Sequence, residues 1–113
     1  MLTTSTRASL AAALNTVSGV KGYAYRPTAP RAGDAWPQVE SAVREVADAW
    51  SISWRIFVVL PPDEKGASIA FDTLVPLLVD TIEATAYVDS VAPVVLATSA
   101  GDLNAIEIRA RGE

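Results

Sequence analysis

The 113-residue chain has no cysteine and no histidine. Without cysteine there is no disulfide framework, no thiolate nucleophile, and no Cys-ligated zinc or haem attachment. Without histidine the usual proton carrier near neutral pH is missing, and with it every histidine-based triad. A carboxylate, lysine or tyrosine would need a strongly shifted pKa to take that role. Charge is also sparse, at 19% of residues, and its balance is acidic: nine Lys and Arg against thirteen Asp and Glu give a net charge of −4. That balance argues against a module that holds nucleic acid tightly. No run of 18 apolar residues is present, so no membrane-spanning helix is expected. The apolar run Leu10 to Leu14 behind Arg7 is too short for a signal-peptide core and reads better as helix. The lack of cysteine fits a protein made in a reducing cytoplasm.

Half of the residues are hydrophobic, which speaks for a folded chain rather than a disordered one. The length suits a single domain over 1–113, hiding roughly 65% of the surface of the extended chain. Residues 4–18 predict a first helix: Thr4, Ser5 and Thr6 offer capping hydroxyls, and Leu10, Leu14 and Val17 form an apolar stripe. Gly19 is placed to end it. A short extended piece is expected over Val20 to Arg26. Residues 27–37 hold three prolines, a glycine and an aspartate, which predicts a loop or arm without regular structure. Such a segment is either a binding loop or an ordered surface loop pinned by Trp36.

Residues 38–50 fit two templates. Val39, Val43, Val46 and Trp50 match helical spacing, with Glu40 and Arg44 as an i, i+4 pair; read as a strand, Val39, Ser41 and Val43 share a face. Residues 51–60 predict a strand in which Ile52, Trp54, Ile56 and Val58 alternate with Ser51, Ser53, Arg55 and Phe57. Pro61 and Pro62 end it. Asp63 and Glu64 then open a helix over about 64–83, with Ile69, Leu74, Leu77, Leu78 and Ile82 as apolar surface and Pro76 as a kink. Ala86 to Thr98, bent at Ala92-Pro93, and Leu103 to Arg111 predict two more strands, joined by a tight turn at Ser99-Ala-Gly-Asp102. This order implies an α+β domain: one antiparallel or mixed sheet covered on one face by two helices. The other face carries Arg55, Glu107, Arg109 and Arg111.

No motif carries chemistry. Asp63-Glu64-Lys65 is the densest ionic cluster, and acidic residues at a helix start account for it. Gly19-Val-Lys-Gly22 is too short for a phosphate loop, and Ser99 has no base beside it. Scattered basic residues without interleaved aromatics argue against nucleic-acid tracking. No catalytic residue, cofactor or metal is therefore expected. The three tryptophans stand out, because tryptophan serves both cores and interface hot spots. Trp36, in the proline-flanked segment, is the one expected to be partly exposed.

Four stretches carry a resemblance. Gly33-Asp-Ala-Trp-Pro37, Trp54-Arg-Ile-Phe-Val-Val-Leu-Pro61, Asp63-Glu64-Lys65 and Ala97-Thr-Ser-Ala-Gly-Asp-Leu103 resemble tail terminator proteins of long-tailed actinobacterial phages. The opening helix and Tyr25-Arg-Pro27 are similar as well. The resemblance implies a strand over 38–46 paired with 51–60. It also implies a non-enzymatic virion protein, a homo-oligomeric six-fold ring that caps the tail tube, stops its growth and offers a surface to the head. The implied partners are the tail tube protein and a head-completion or connector protein. DNA would pass through the ring without sequence-specific binding, and no membrane is involved. A subunit with a radius of gyration of roughly 13 Å leaves a ring opening about one subunit wide. Acidic walls would let DNA slide. Arg26, Arg31, Asp34 and Trp36 in the loop, with Asp63, Glu64 and Lys65, are the expected contacts between subunits or rings. Two alternatives stay open: a connector subunit of the same neck, and a small dimeric α+β ligand-binding module.

Overall fold

The computed structural model describes residues 2–46 and 49–112. These residues build an α+β domain of one mixed five-stranded sheet and two helices. The elements follow as α1 (Thr4–Asn15), β1 (Lys21–Gly22), β2 (Asp34–Val46), β3 (Ala49–Val59), α2 (Glu64–Ile82), β4 (Tyr87–Thr98) and β5 (Gly101–Gly112). In space the strands stand β1-β2-β3-β5-β4, with β1 parallel to β2 and the other pairs antiparallel.

The period-2 alternation of β3 and β5 makes the main core. Ile52, Trp54, Ile56 and Val58 of β3, and Ile106, Ile108 and Ala110 of β5, all point to one face and are buried. Leu10, Leu14 and Val17 from the α1 region and Ala67, Leu78 and Ile82 from α2 cover them. Each such aliphatic side chain contributes roughly 1.5–3 kcal/mol on full burial. The helices divide the sheet, α1 lying over β1 and β2 and α2 over β4 and β5.

The first helix stops at Asn15, short of the expected residue 18, and Gly19 lies in the following turn rather than at the cap. Asn15 explains the early stop. Its side-chain amide donates to the Gly22 carbonyl (3.1 Å) and its oxygen accepts the Gly22 N–H (2.9 Å), tying β1 back against the helix. Gly22 is required there, since a Cβ would sit 2.3 Å from the Ala11 carbonyl oxygen. The capping residue is Thr3, whose side chain makes no cap bond, and the expected capping residues Thr4 to Thr6 lie inside the helix.

Residues 38–46 are strand, not helix, and continue a strand that already begins at Asp34. The loop is therefore shorter than the expected 27–37. Pro37 fits inside β2 because Ala35 turns its carbonyl outward to the Tyr23 N–H (2.8 Å), and Pro37, two residues on, faces the same open side. Its carbonyl accepts from Arg7 Nη1 (3.1 Å). The predicted strand over Val20 to Arg26 shrinks to Lys21–Gly22, extended by that single Tyr23 bond.

In α2 the Asp63 carboxylate accepts the Gly66 N–H (2.7 Å) and caps the helix, which runs as one element through exposed Pro76. Of its expected apolar surface, Leu78 and Ile82 are buried, whereas Ile69 and Leu77 face outward. The irregularity of β4 falls at Asp89, where the register shifts between Val88 and Ser90, and not at Ala92-Pro93. Pro93 sits opposite Ile106 in regular register, tolerated because β4 is an edge strand. The β4–β5 turn has two residues, Ser99 and Ala100, and Gly101 after it holds φ +119°, a conformation that other residues adopt only with strain.

Candidate functional site

The open face of the sheet, opposite the helices, divides into three zones. The first lies toward the end where β3 finishes and is apolar. Trp36, Phe57 and Val59 are buried there, packed with Tyr23, Val94, Leu96 and Leu103. Trp36 is fully buried, so the expectation of an exposed contact tryptophan is overturned. The reason is the chain that precedes it: residues 23–26 fold back over this face. Arg26 stacks 5.5 Å from the Trp36 ring and donates to the Ala97 carbonyl (3.4 Å). The indole N–H donates to Gln38 Oε1 (2.9 Å).

The second zone is ionic. Arg55 on β3 donates to Glu107 on β5 (2.6 Å), and Glu107 also accepts from Arg109 Nε (2.9 Å). Arg109 reaches Glu40 on β2 (2.7 Å), and Arg111 pairs with Asp89 (3.3 Å). Glu40 reaches this lattice because it alternates with core-facing Val39 and shares the open face with Gln38, which stands opposite Arg55. Burial alone would raise the pKa of the Glu107 carboxyl, but the Arg55 hydrogen bond and charge, followed by those of Arg109, outweigh it and hold the pKa below the ordinary carboxylate range. Glu40 and Glu107 each face both Arg55 and Arg109, so these four charges close on themselves. Such a lattice ties β2, β3 and β5 together across the open face.

The third zone is an arm. β5 is paired as far as Gly112, opposite Ile52, so residues 43–46 of β2 and 49–51 of β3 run on as a two-stranded projection. Val43, Val46 and Trp50 are exposed on it. The strand template fitted Val43 and the helical one linked all three, but neither showed that this stretch runs beyond β5 as an arm.

The residues expected at contacts gather at the end opposite the arm, on two neighbouring segments. Arg31 and Asp34 close the loop: the Asp34 carboxylate accepts the Arg31 N–H (2.9 Å) and the Asp34 N–H donates to the Arg31 carbonyl (2.9 Å). Gly33 N–H donates to the Val59 carbonyl (2.8 Å), and Leu60 N–H to the Asn104 carbonyl (2.8 Å), so the loop and the entrance of α2 sit beside one another. Arg26, Arg31, Glu64 and Lys65 are exposed; Asp63 is engaged as a cap. A groove of about 620 Å³ lies between α2 and β4, with Leu60, Phe71, Pro93 and Val94 in its walls and Glu64 and Asp72 at its acidic rim.

Among the described residues, no three carboxylates gather as a metal site, and no helix is long and apolar enough to cross a membrane. Compared with family models and with curated proteins, the chain matches none.

Proposed function

We propose that this chain is a structural subunit that acts by self-assembly, a tail terminator ring capping the tail tube of a long-tailed phage. The observation that carries this reading is the arm. A two-stranded projection bearing exposed Val43, Val46 and Trp50 adds apolar surface that a free monomer would not favour. Among the described residues two sheet edges lack a strand partner, β4 along its length and β2 beyond the short β1. Unpaired strand edges invite pairing with another chain. The ionic lattice and the capping role of Asp63 give the charged residues structural work, in keeping with a protein without a reactive centre.

In this reading six copies form a ring whose net charge, six times −4, favours passage of DNA over its retention. The ring ends tube growth and offers a surface to the head-completion or connector protein, in a virion assembled in the host cytoplasm. Exposed Arg26, Arg31, Glu64 and Lys65 belong to the contact surfaces; buried Trp36 no longer does. The groove beside α2 is the observation that favours the second reading, a dimeric ligand-binding module.

Assembly of tails without this protein separates them. The terminator reading expects tails that are overlong or uncapped and that fail to join filled heads. Normal tails in its absence, with a dimer and no rings under negative stain, would overturn it.

A further inference from the structure

We propose that copies of this chain associate head to tail, the cationic β1 edge of one seated in the groove between α2 and β4 of the next. The inference rests on the self-assembling reading above and names its contact. Its ground is a segregation of charge. The first 33 residues hold four cations and no carboxylate, whereas residues 63–98 hold six carboxylates and one lysine. The sheet order places β1 and β4 at opposite edges, with α1 over β1 and β2 and α2 over β4 and β5, although the entrance of α2 lies beside the loop that carries Arg31.

Charges in the middle of the sheet are paired within the lattice. At the edges Asp89 of β4 pairs with Arg111, but among the described residues neither Lys21 and Arg31 nor Glu64 and Asp72 take part in an ion pair, Lys21 lying 5.3 Å from the centre of the Tyr23 ring. Lys21 and Arg31 line one concavity of about 510 Å³ at the β1 edge. Asp34, the acid in that concavity, is turned to the Arg31 backbone N–H. Arg7 and Arg26 are spent inside the chain, Arg7 on the carbonyls of Pro37 and Ala24, Arg26 on Trp36 and Ala97. At the other edge, Glu64 and Asp72 rim a groove with an apolar floor, and β4 beside it has no outer strand partner. A cation on an aliphatic stem fills such a groove with its stem and meets the rim with its charge. One copy cannot bring its own two edges together. A second copy satisfies one edge and presents its own free pair, so the contact repeats until it closes into a ring.

The test is the association state by sedimentation at low and high salt for four proteins: wild type, Lys21→Glu/Arg31→Glu, Glu64→Lys/Asp72→Lys, and the neutral Glu64→Gln/Asp72→Asn. The proposal expects wild type to associate at low salt and weaken as salt is added. Each reversal should weaken association roughly tenfold or more. An equimolar mixture of the two reversed variants should associate again as alternating copies. The neutral variant, which keeps the size of both side chains, should fall between wild type and the reversal, so a misfolded reversal cannot imitate the result. Rings that persist in both reversed variants would overturn the contact and leave the ring reading standing. A wild-type chain that stays monomeric at millimolar concentration and low salt would overturn the contact, and tail assembly would then decide the ring reading alone.

Discussion

β2 is packed on both faces at Ala35 and Trp36 and bare on both at Ser41 to Val46, although both halves pair with the same strand, β3. The first half has α1 over one face and residues 23–26 over the other; the second half has neither. Strand pairing therefore does not decide burial here; the covering layers do. The two tryptophans of this ribbon mark the contrast, Trp36 at 0% and Trp50 at 37% exposure. A sharp way to break the comparison is Trp36→Ala. Loss of a fully buried indole should cost about 3–5 kcal/mol, seen as a large drop in the denaturation midpoint. If Trp36 instead acted as a contact residue, stability would be unchanged and only assembly would suffer.

Between the two halves stands the ionic lattice, where Glu40 and Glu107 bridge β2, β3 and β5 through Arg55 and Arg109. Glu107→Gln keeps the size and removes the charge, with an expected cost of about 1–2 kcal/mol at neutral pH, since its arginine partners are partly solvated. The sign of the pH dependence follows from the lowered folded-state pKa of Glu107. Its contribution is complete above about pH 4.5, the ordinary value, and is lost as pH falls through the lower folded value. The stability gap between wild type and Glu107→Gln should therefore narrow on acidification. A gap that widens would show that burial outweighs the two arginines. The cap at the opposite end of the sheet is smaller again: Asp63→Ala removes the acceptor of the Gly66 N–H and should cost about 1 kcal/mol, read from the thermal midpoint.

Sequence periodicity revealed the elements whose two sides differ. β3 and β5 alternate because one side meets the helices, and Ile52 to Val58 and Ile106 to Ala110 carry that alternation openly. The arm could not be read this way. With both faces exposed, residues 43–46 have no reason to alternate, and Val39, Val43, Val46 and Trp50 fall by composition into a helical spacing. Trp36 was hidden by the opposite effect. Its proline neighbour reads as loop, yet Pro37 needs no N–H on the open side of β2, and the cover over Trp36 comes from a segment whose path depends on the tertiary fold. The lattice was half visible, since Arg55, Glu107 and Arg109 share a face by register. Glu40 shares that face by alternation with Val39 once residues 38–46 are read as strand, and the competing helical spacing masked it.

The smallest expected effect makes the strongest test of the arm. Trp50 pairs opposite Arg44 on a ribbon beyond the two cores, so Trp50→Ala removes little buried surface and should change stability by no more than about 0.5 kcal/mol. In a free monomer that substitution has no further consequence. If the arm meets another chain, the same change removes an aromatic anchor, the residue type that most often dominates an interface. The combination to look for is an unchanged melting curve together with weakened assembly. A destabilised monomer would mean that the arm folds back on its own domain. Equal assembly at equal stability would strip the arm of its role and leave the charged edges as the sole candidates for contact between copies.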